Sequence, residues 1–191
     1  MNRKKITISI SKANLFGFLL IFPVILIYFL PYYFLHFEDT TIPHFKESVR
    51  TVGFEYGAFG IFLIVIAISL VGVVLHEIIH GLCWGLFAKN SFKSISFGVV
   101  WKMLTPYCHG KEPLQVNQYI FGAIMPGIIL GLLPAIYALI CDNFSILLFG
   151  IFFTFAAAGD ILIVYLLRKE KMDSLVQDHP SEMGCYIYQK Q

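Results

Sequence analysis

The chain has 191 residues, 58% of them hydrophobic and 14% charged, with a formal net charge of +2 and a mean hydropathy of +0.75. That balance excludes an ordinary water-soluble domain, so the lipid bilayer is the expected solvent and no nucleic acid is expected as a partner. The four cysteines, Cys83, Cys108, Cys141 and Cys185, form no C-x-x-C pair and indicate neither a disulfide framework nor a thiolate zinc knuckle.

Four stretches are long enough to cross a hydrocarbon core of about 30 Å, for which roughly 20 apolar residues suffice. The first, Leu15 to Leu35, follows the basic start Met1 to Lys5. The apolar run is too long for a cleaved signal and no A-x-A site follows it, so it reads as a retained span. Its Pro23 and Pro31 are tolerable where neighbouring helices satisfy the freed backbone groups, and Tyr32, Tyr33 and Phe34 mark its outer interface. Residues His36 to Gly57 form an outer loop with four acids, Glu38, Asp39, Glu47 and Glu55, and with room for a short helix.

The second span, Ala58 to Ala88, would be about 46 Å long as a helix, so it must tilt or emerge into the cytoplasm. In the segment Lys89 to Gln118, Ile95, Phe97, Val99 and Trp101 alternate with Ser94, Ser96, Gly98 and Val100, the period of a strand with one apolar face. Thr105 and Pro106 break that pattern, and Tyr107 to His109 form a return strand or an irregular loop. The third and fourth spans, Tyr119 to Cys141 and Phe144 to Leu167, are joined only by Asp142 and Asn143 and must be antiparallel neighbours. Gly122, Gly127 and Gly131 allow close helix approach. The expected fold is one domain over residues 1–191: an all-α membrane protein of four transmembrane helices with a small β-hairpin on the cytoplasmic side.

The sidedness follows from the basic residues. Arg3, Lys4, Lys5 and Lys12 precede span one; Lys89, Lys93, Lys102 and Lys111 lie between spans two and three; Arg168, Lys169, Lys171 and Lys190 follow span four. Only Lys46 and Arg50 lie between spans one and two. This asymmetry puts both termini in the cytoplasm.

Ionisable groups inside the spans are few: His76, Glu77, His80 and Cys83 in the second and Asp160 in the fourth, with tyrosines and a terminal cysteine elsewhere. Such residues are costly to insert and mark function. His76-Glu77-Ile78-Ile79-His80 fits H-E-x-x-H, in which two imidazoles four residues apart share a helix face and can grip one Zn²⁺. Glu77 sits beside the pair as the general base, placed to take a proton from a water whose pKa the ion lowers to near 7.

A catalytic zinc needs a third protein ligand. Counting inward along spans two and four puts His76 and His80 at depths of roughly 27 and 33 Å and Asp160 at roughly 24 Å, all in the cytoplasmic leaflet. Asp160 follows the small residues Ala156 to Gly159 and is the nominated ligand; alternatively it orients a ligating imidazole. His109 and His179 compete for the third position, whereas His36 and His44 lie on the wrong side. Cys83 reads as a packing residue, Trp84 and Phe87 as core or interface aromatics, and Asp178-His179-Pro180 as a solvated turn.

The chain resembles a small bacterial integral-membrane family of zincin peptidases, itself similar to site-2 proteases. The resemblance rests on His76-Glu77-Ile78-Ile79-His80-Gly81, the strand-like segment after it, Gly159-Asp160, and Asp178-His179-Pro180 with Gly184. It implies an intramembrane metalloprotease architecture in a bacterial plasma membrane, with His76, His80 and Asp160 at ligand positions and Glu77 at that of the catalytic glutamate. The chain departs from site-2 proteases in having Ile161 after Asp160 and no G-P-x-x-N motif in span three.

The expected function is zinc-dependent hydrolysis of peptide bonds in a peptide or membrane-protein substrate, which the strand Ile95 to Trp101 would bind by β-augmentation. The alternative is a non-catalytic metal-binding scaffold or transporter subunit. Against it stand the acid beside the first histidine, which transport does not need, and the lack of paired half-helices.

Overall fold

The computed structural model describes residues 2–36, 41–101, 105–179 and 183–189. Glu38, Asp39, Lys102, Pro180 and Lys190, which figured in the reading of the loops and basic flanks, lie outside them.

Three helices are long and apolar enough to cross a membrane, and a bent pair raises the number to as many as four. The first helix, α1 (Ile10–His36), keeps Pro23 and Pro31 inside it. Next comes α2 (Thr41–Phe87), interrupted at Gly57 with φ 69° and ψ 173°, a left-handed conformation that glycine adopts without steric cost. The segment before the break therefore holds a helix from Thr41, and the apolar helix beyond the break starts where the sequence pattern put it. Val116–Pro126 (α3) and Leu133–Cys141 (α4) are joined through a wider π-helical turn over Gly127–Leu132 into one 26-residue span. The last apolar segment is split into α5 (Phe144–Ala156) and α6 (Ala158–Leu167), bent by 46°. At the α4–α5 turn Asp142 is left-handed at φ 50° and Asn143 caps α5 by accepting from the Ile146 amide at 3.0 Å.

Much of the helical surface is exposed and apolar, including Phe22, Phe59, Leu70 and Ile140. Patches of that extent suit hydrocarbon, not water. The small residues work as expected: a side chain on Gly131 would collide with Thr154 and one on Gly127 would press on Ala157.

The strands go beyond a single hairpin. β2 (Ile95–Val100) and β3 (Thr105–Gly110) pair antiparallel from Ile95↔Gly110 to Val100↔Thr105. Thr105 and Pro106 begin the return strand rather than interrupt it, since in a two-stranded ribbon a proline can turn its nitrogen away from the partner. A second, four-stranded antiparallel sheet runs in the order β1-β6-β5-β4, made of β1 (Asn2–Thr7), β4 (Leu114–Gln115), β5 (Leu175–Asp178) and β6 (Gly184–Gln189). The basic N-terminal segment is thus a strand paired along its length with the C-terminal one, Asn2↔Gln189 to Thr7↔Gly184. Nothing local announces it, because each strand's partner lies at the other end of the chain.

Two cores result. One lies among α1, α4 and α5, around Val24, Tyr28, Tyr32, Ala135, Ala138 and Leu147. The other joins helix ends to the sheet through Trp84, Val116, Tyr119, Leu167, Val176, Cys185 and Ile187. β4 runs directly into α3, whose start is closed by a reciprocal Gln115–Gln118 capping box. The sheet, the start of α1 and the ends of α2 and α6 therefore share one end of the molecule.

Candidate metal centre

The helical repeat puts His76, His80 and Trp84 on one face of α2. His76 and His80 are buried, 7% and 4% exposed. Asp160 comes from the first turn of α6, a helix start created by the break at Ala157. There the unsatisfied amides and the positive end of the helix dipole favour a carboxylate. His80 and Asp160 each lie seven residues before their helix ends, Phe87 and Leu167, or about 10 Å, so α2 and α6 bring them to one level.

His76 Nε2 lies 3.0 Å from Asp160 Oδ2, His80 Nε2 lies 3.3 Å from Asp160 Oδ1, and the two Nε2 atoms are 3.2 Å apart. Tetrahedral zinc with bonds of about 2.0–2.1 Å needs ligand atoms about 3.3 Å from one another, so these separations suit it. The tautomer suits it too. His80 Nδ1 lies 2.9 Å from the Gly122 carbonyl, and by donating there the neutral ring keeps its Nε2 lone pair. Pro126 makes that carbonyl available: four residues on, it has no N–H to give to Gly122, which leaves the oxygen without its usual helical donor. A buried set of facing lone pairs calls for a cation or shared protons between them. His76 Nδ1 is buried with no hydrogen-bond partner among the described residues, so its ring orientation rests on what Nε2 meets.

Behind the cluster the rings of His80 and Trp84 stack at 4.9 Å, and those of Trp84 and Tyr119 at 5.0 Å. Trp84 donates to the Tyr119 carbonyl at 3.0 Å. A side chain on Gly122 would overlap the Trp84 indole, so glycine is what lets α3 approach α2 closely enough for its carbonyl to reach His80. Glu77 is half-buried, interacts electrostatically with all three candidate ligands, and lies beside the Cys108 amide of β3. Burial, with the Glu77 and Asp178 carboxylates nearby, pushes the Cys108 thiol up, so it stays protonated rather than offering a thiolate.

A family described as "putative zincin peptidase" matches residues 69–175, more than half of the chain and the whole of this helix face with Asp160. The chain belongs to that family. No curated protein and no solved structure matches significantly. Membership of the family implies zinc, and His76, His80 and Asp160, with ligand atoms within 4.8 Å of one another, form a group able to hold a metal.

The competing residues are elsewhere. His109 lies beside Asp178, with Nδ1 3.6 Å from its carboxylate, and His179 meets the Tyr186 hydroxyl at 2.9 Å. Neither joins a metal-holding group among the described residues. His36 and His44 are at the far end, near Asp142 and Asn143. Cys83 is half-buried and outside the group.

Three features escaped the sequence reading, the Trp84 stack, the Gly122 carbonyl and the Cys108 amide, and a fourth, Asp178, reads in the sequence as part of a solvated turn. Trp84 had a usable signal, since it is four residues past His80 on the ligand face. Gly122 with Pro126 had one too, the i, i+4 spacing that frees a carbonyl. Asp178 is not in a solvated turn: it ends β5 with 14% of its side chain exposed and accepts from Tyr119 and from Gly110.

Proposed function

We propose that the protein is an integral-membrane zinc metallopeptidase, in which His76, His80 and Asp160 hold the ion and Glu77 is the general base. The observation that carries this reading is the convergence of a carboxylate from a distant span onto the H-E-x-x-H face at ligand spacing. Bound zinc supplies an acidified water and a Lewis acid for the scissile carbonyl. Glu77 takes the proton as the water oxygen attacks and returns it to the departing amine nitrogen, so that one peptide bond and one water become a carboxyl and an amine. The Cys108 amide beside the Glu77 carboxylate would help to aim it.

The substrate would bind extended, along β2. Lys111 donates to the Ser94 carbonyl at 2.8 Å, so with the β2–β3 register the bonded pairs are 96/109, 98/107 and 100/105. The main-chain groups of Phe97 and Val99 then point to the outer edge of β2, where a peptide strand would pair with backbone and tolerate many side chains.

Four spans, with the sheet end in the cytoplasm of a bacterial cell, complete the reading. Arg3, Lys4, Lys5, Lys89, Lys93, Lys111, Arg168, Lys169 and Lys171 gather at the sheet end, and Lys46 and Arg50 at the other. A cysteine replacing exposed Arg50 should react with an impermeant reagent outside intact cells, and one replacing exposed Lys171 only after lysis. The background is Cys141→Ser, because that exposed thiol lies at the same end as Arg50. The opposite labelling would invert the orientation.

The function is tested by purified protein in vesicles carrying single-span peptides. Cleavage should be abolished by chelation and restored by zinc. Stoichiometric zinc without turnover across a broad peptide set would favour the scaffold reading.

A further inference from the structure

The β3 strand lies along α2 with its outer edge turned toward acids. Because 96/109 and 98/107 are the bonded pairs, Pro106, Cys108 and Gly110 face away from β2. Each has its donor accounted for: Pro106 has no N–H, the Cys108 amide lies beside Glu77, and the Gly110 amide meets Asp178 Oδ2 at 3.0 Å. The other Asp178 oxygen accepts from the Tyr119 hydroxyl. One carboxylate thus grips the strand that aims the base and the ring that backs the stack on His80.

We propose that Asp178 is a positioning residue that couples the terminal sheet to the metal centre. Its carboxylate sets the Tyr119–Trp84–His80 stack on one side and the Cys108–Glu77 contact on the other. It lies beyond the stretch matched by the family, on β5, whose neighbour β6 pairs with the N-terminal β1. The order of that sheet is therefore transmitted to zinc affinity, although the hydrogen bonds of Asp178 itself are made to Gly110 and Tyr119 and to no ligand of the ion. The inference rests on the proposed zinc site, but its structural half can be read without metal.

The test uses the full chain in detergent or nanodiscs, with Asp178→Ala, which removes both acceptor oxygens, and Tyr119→Phe. Tyr119→Phe removes one oxygen and keeps the buried ring, so the fold is retained. Zinc affinity is measured by chelator competition, and the metal-free Trp84 signal by near-ultraviolet circular dichroism in a Trp101→Phe background. Each variant should weaken zinc binding about tenfold, the scale of residues that orient a ligating histidine, and change the Trp84 signal. The double variant should bind zinc about as weakly as Asp178→Ala alone, since both remove the Tyr119–carboxylate contact. Wild-type zinc affinity together with an unchanged Trp84 signal in both variants would overturn the inference. Additive losses in the double variant would also overturn it. If the wild type binds no zinc, the proposed function falls, while an altered Trp84 signal in the variants would still support the coupling of Asp178 to the stack.

Discussion

Replacing Glu77 by Gln is expected to leave zinc stoichiometric and cut peptide hydrolysis by about 10²- to 10⁴-fold, the usual contribution of a general base. The variant keeps the side chain's length, and β3 stays in place through its pairing with β2 and the Gly110–Asp178 hydrogen bond. It removes the carboxylate proposed to take the proton. The group able to hold a metal does not include Glu77, whose position next to His76 turns it off the face shared by His76 and His80. Zinc analysis and single-turnover cleavage on the same preparation separate the two effects. Loss of zinc together with fold would assign Glu77 a structural role, and undiminished turnover would refute the mechanism.

Alanine at His76, His80 or Asp160 is expected to lower zinc affinity more than about 100-fold, because residues that only orient a ligand already contribute about 10- to 100-fold. The Asp160 result is the more informative. Its two oxygens face both imidazoles, at 3.0 Å and 3.3 Å, from a different span, so its removal leaves two ring nitrogens that lie on one helix. Two ligands do not close a catalytic zinc site, which takes three from the protein. Retention of zinc by Asp160→Ala with loss in His109→Ala would transfer the third position to His109. That outcome would require β3 to move, since His109 lies beside Asp178 and outside the group.

The apolar spans were legible because hydrophobic length is a local property, and the break near residue 57 and the Asp142-Asn143 turn fell where composition changed. The H-E-x-x-H pair was legible because the helical repeat alone puts residues four apart on one face. Asp160 could be nominated because few acids are available in the spans and its depth matches that of the histidines. The hairpin's first strand showed its period of two, while its second was obscured by Pro106, which a ribbon edge accommodates.

By itself, then, the sequence determined where long apolar helices form and that His76 and His80 share one helix face with Glu77 beside them, each through spacing along a single element. Only the tertiary structure decided how these are held. The four-stranded sheet joins residues near 5 with residues near 187, and no local pattern encodes a partner that distant. The Gly122 carbonyl reaches His80 because two helices approach over a missing side chain, and Asp178 meets Gly110 and Tyr119 because three elements end at one place. Hydrogen bonds between distant segments depend on where whole elements pack, and that is fixed by the summed burial of their faces, not by the residues that happen to form the bond.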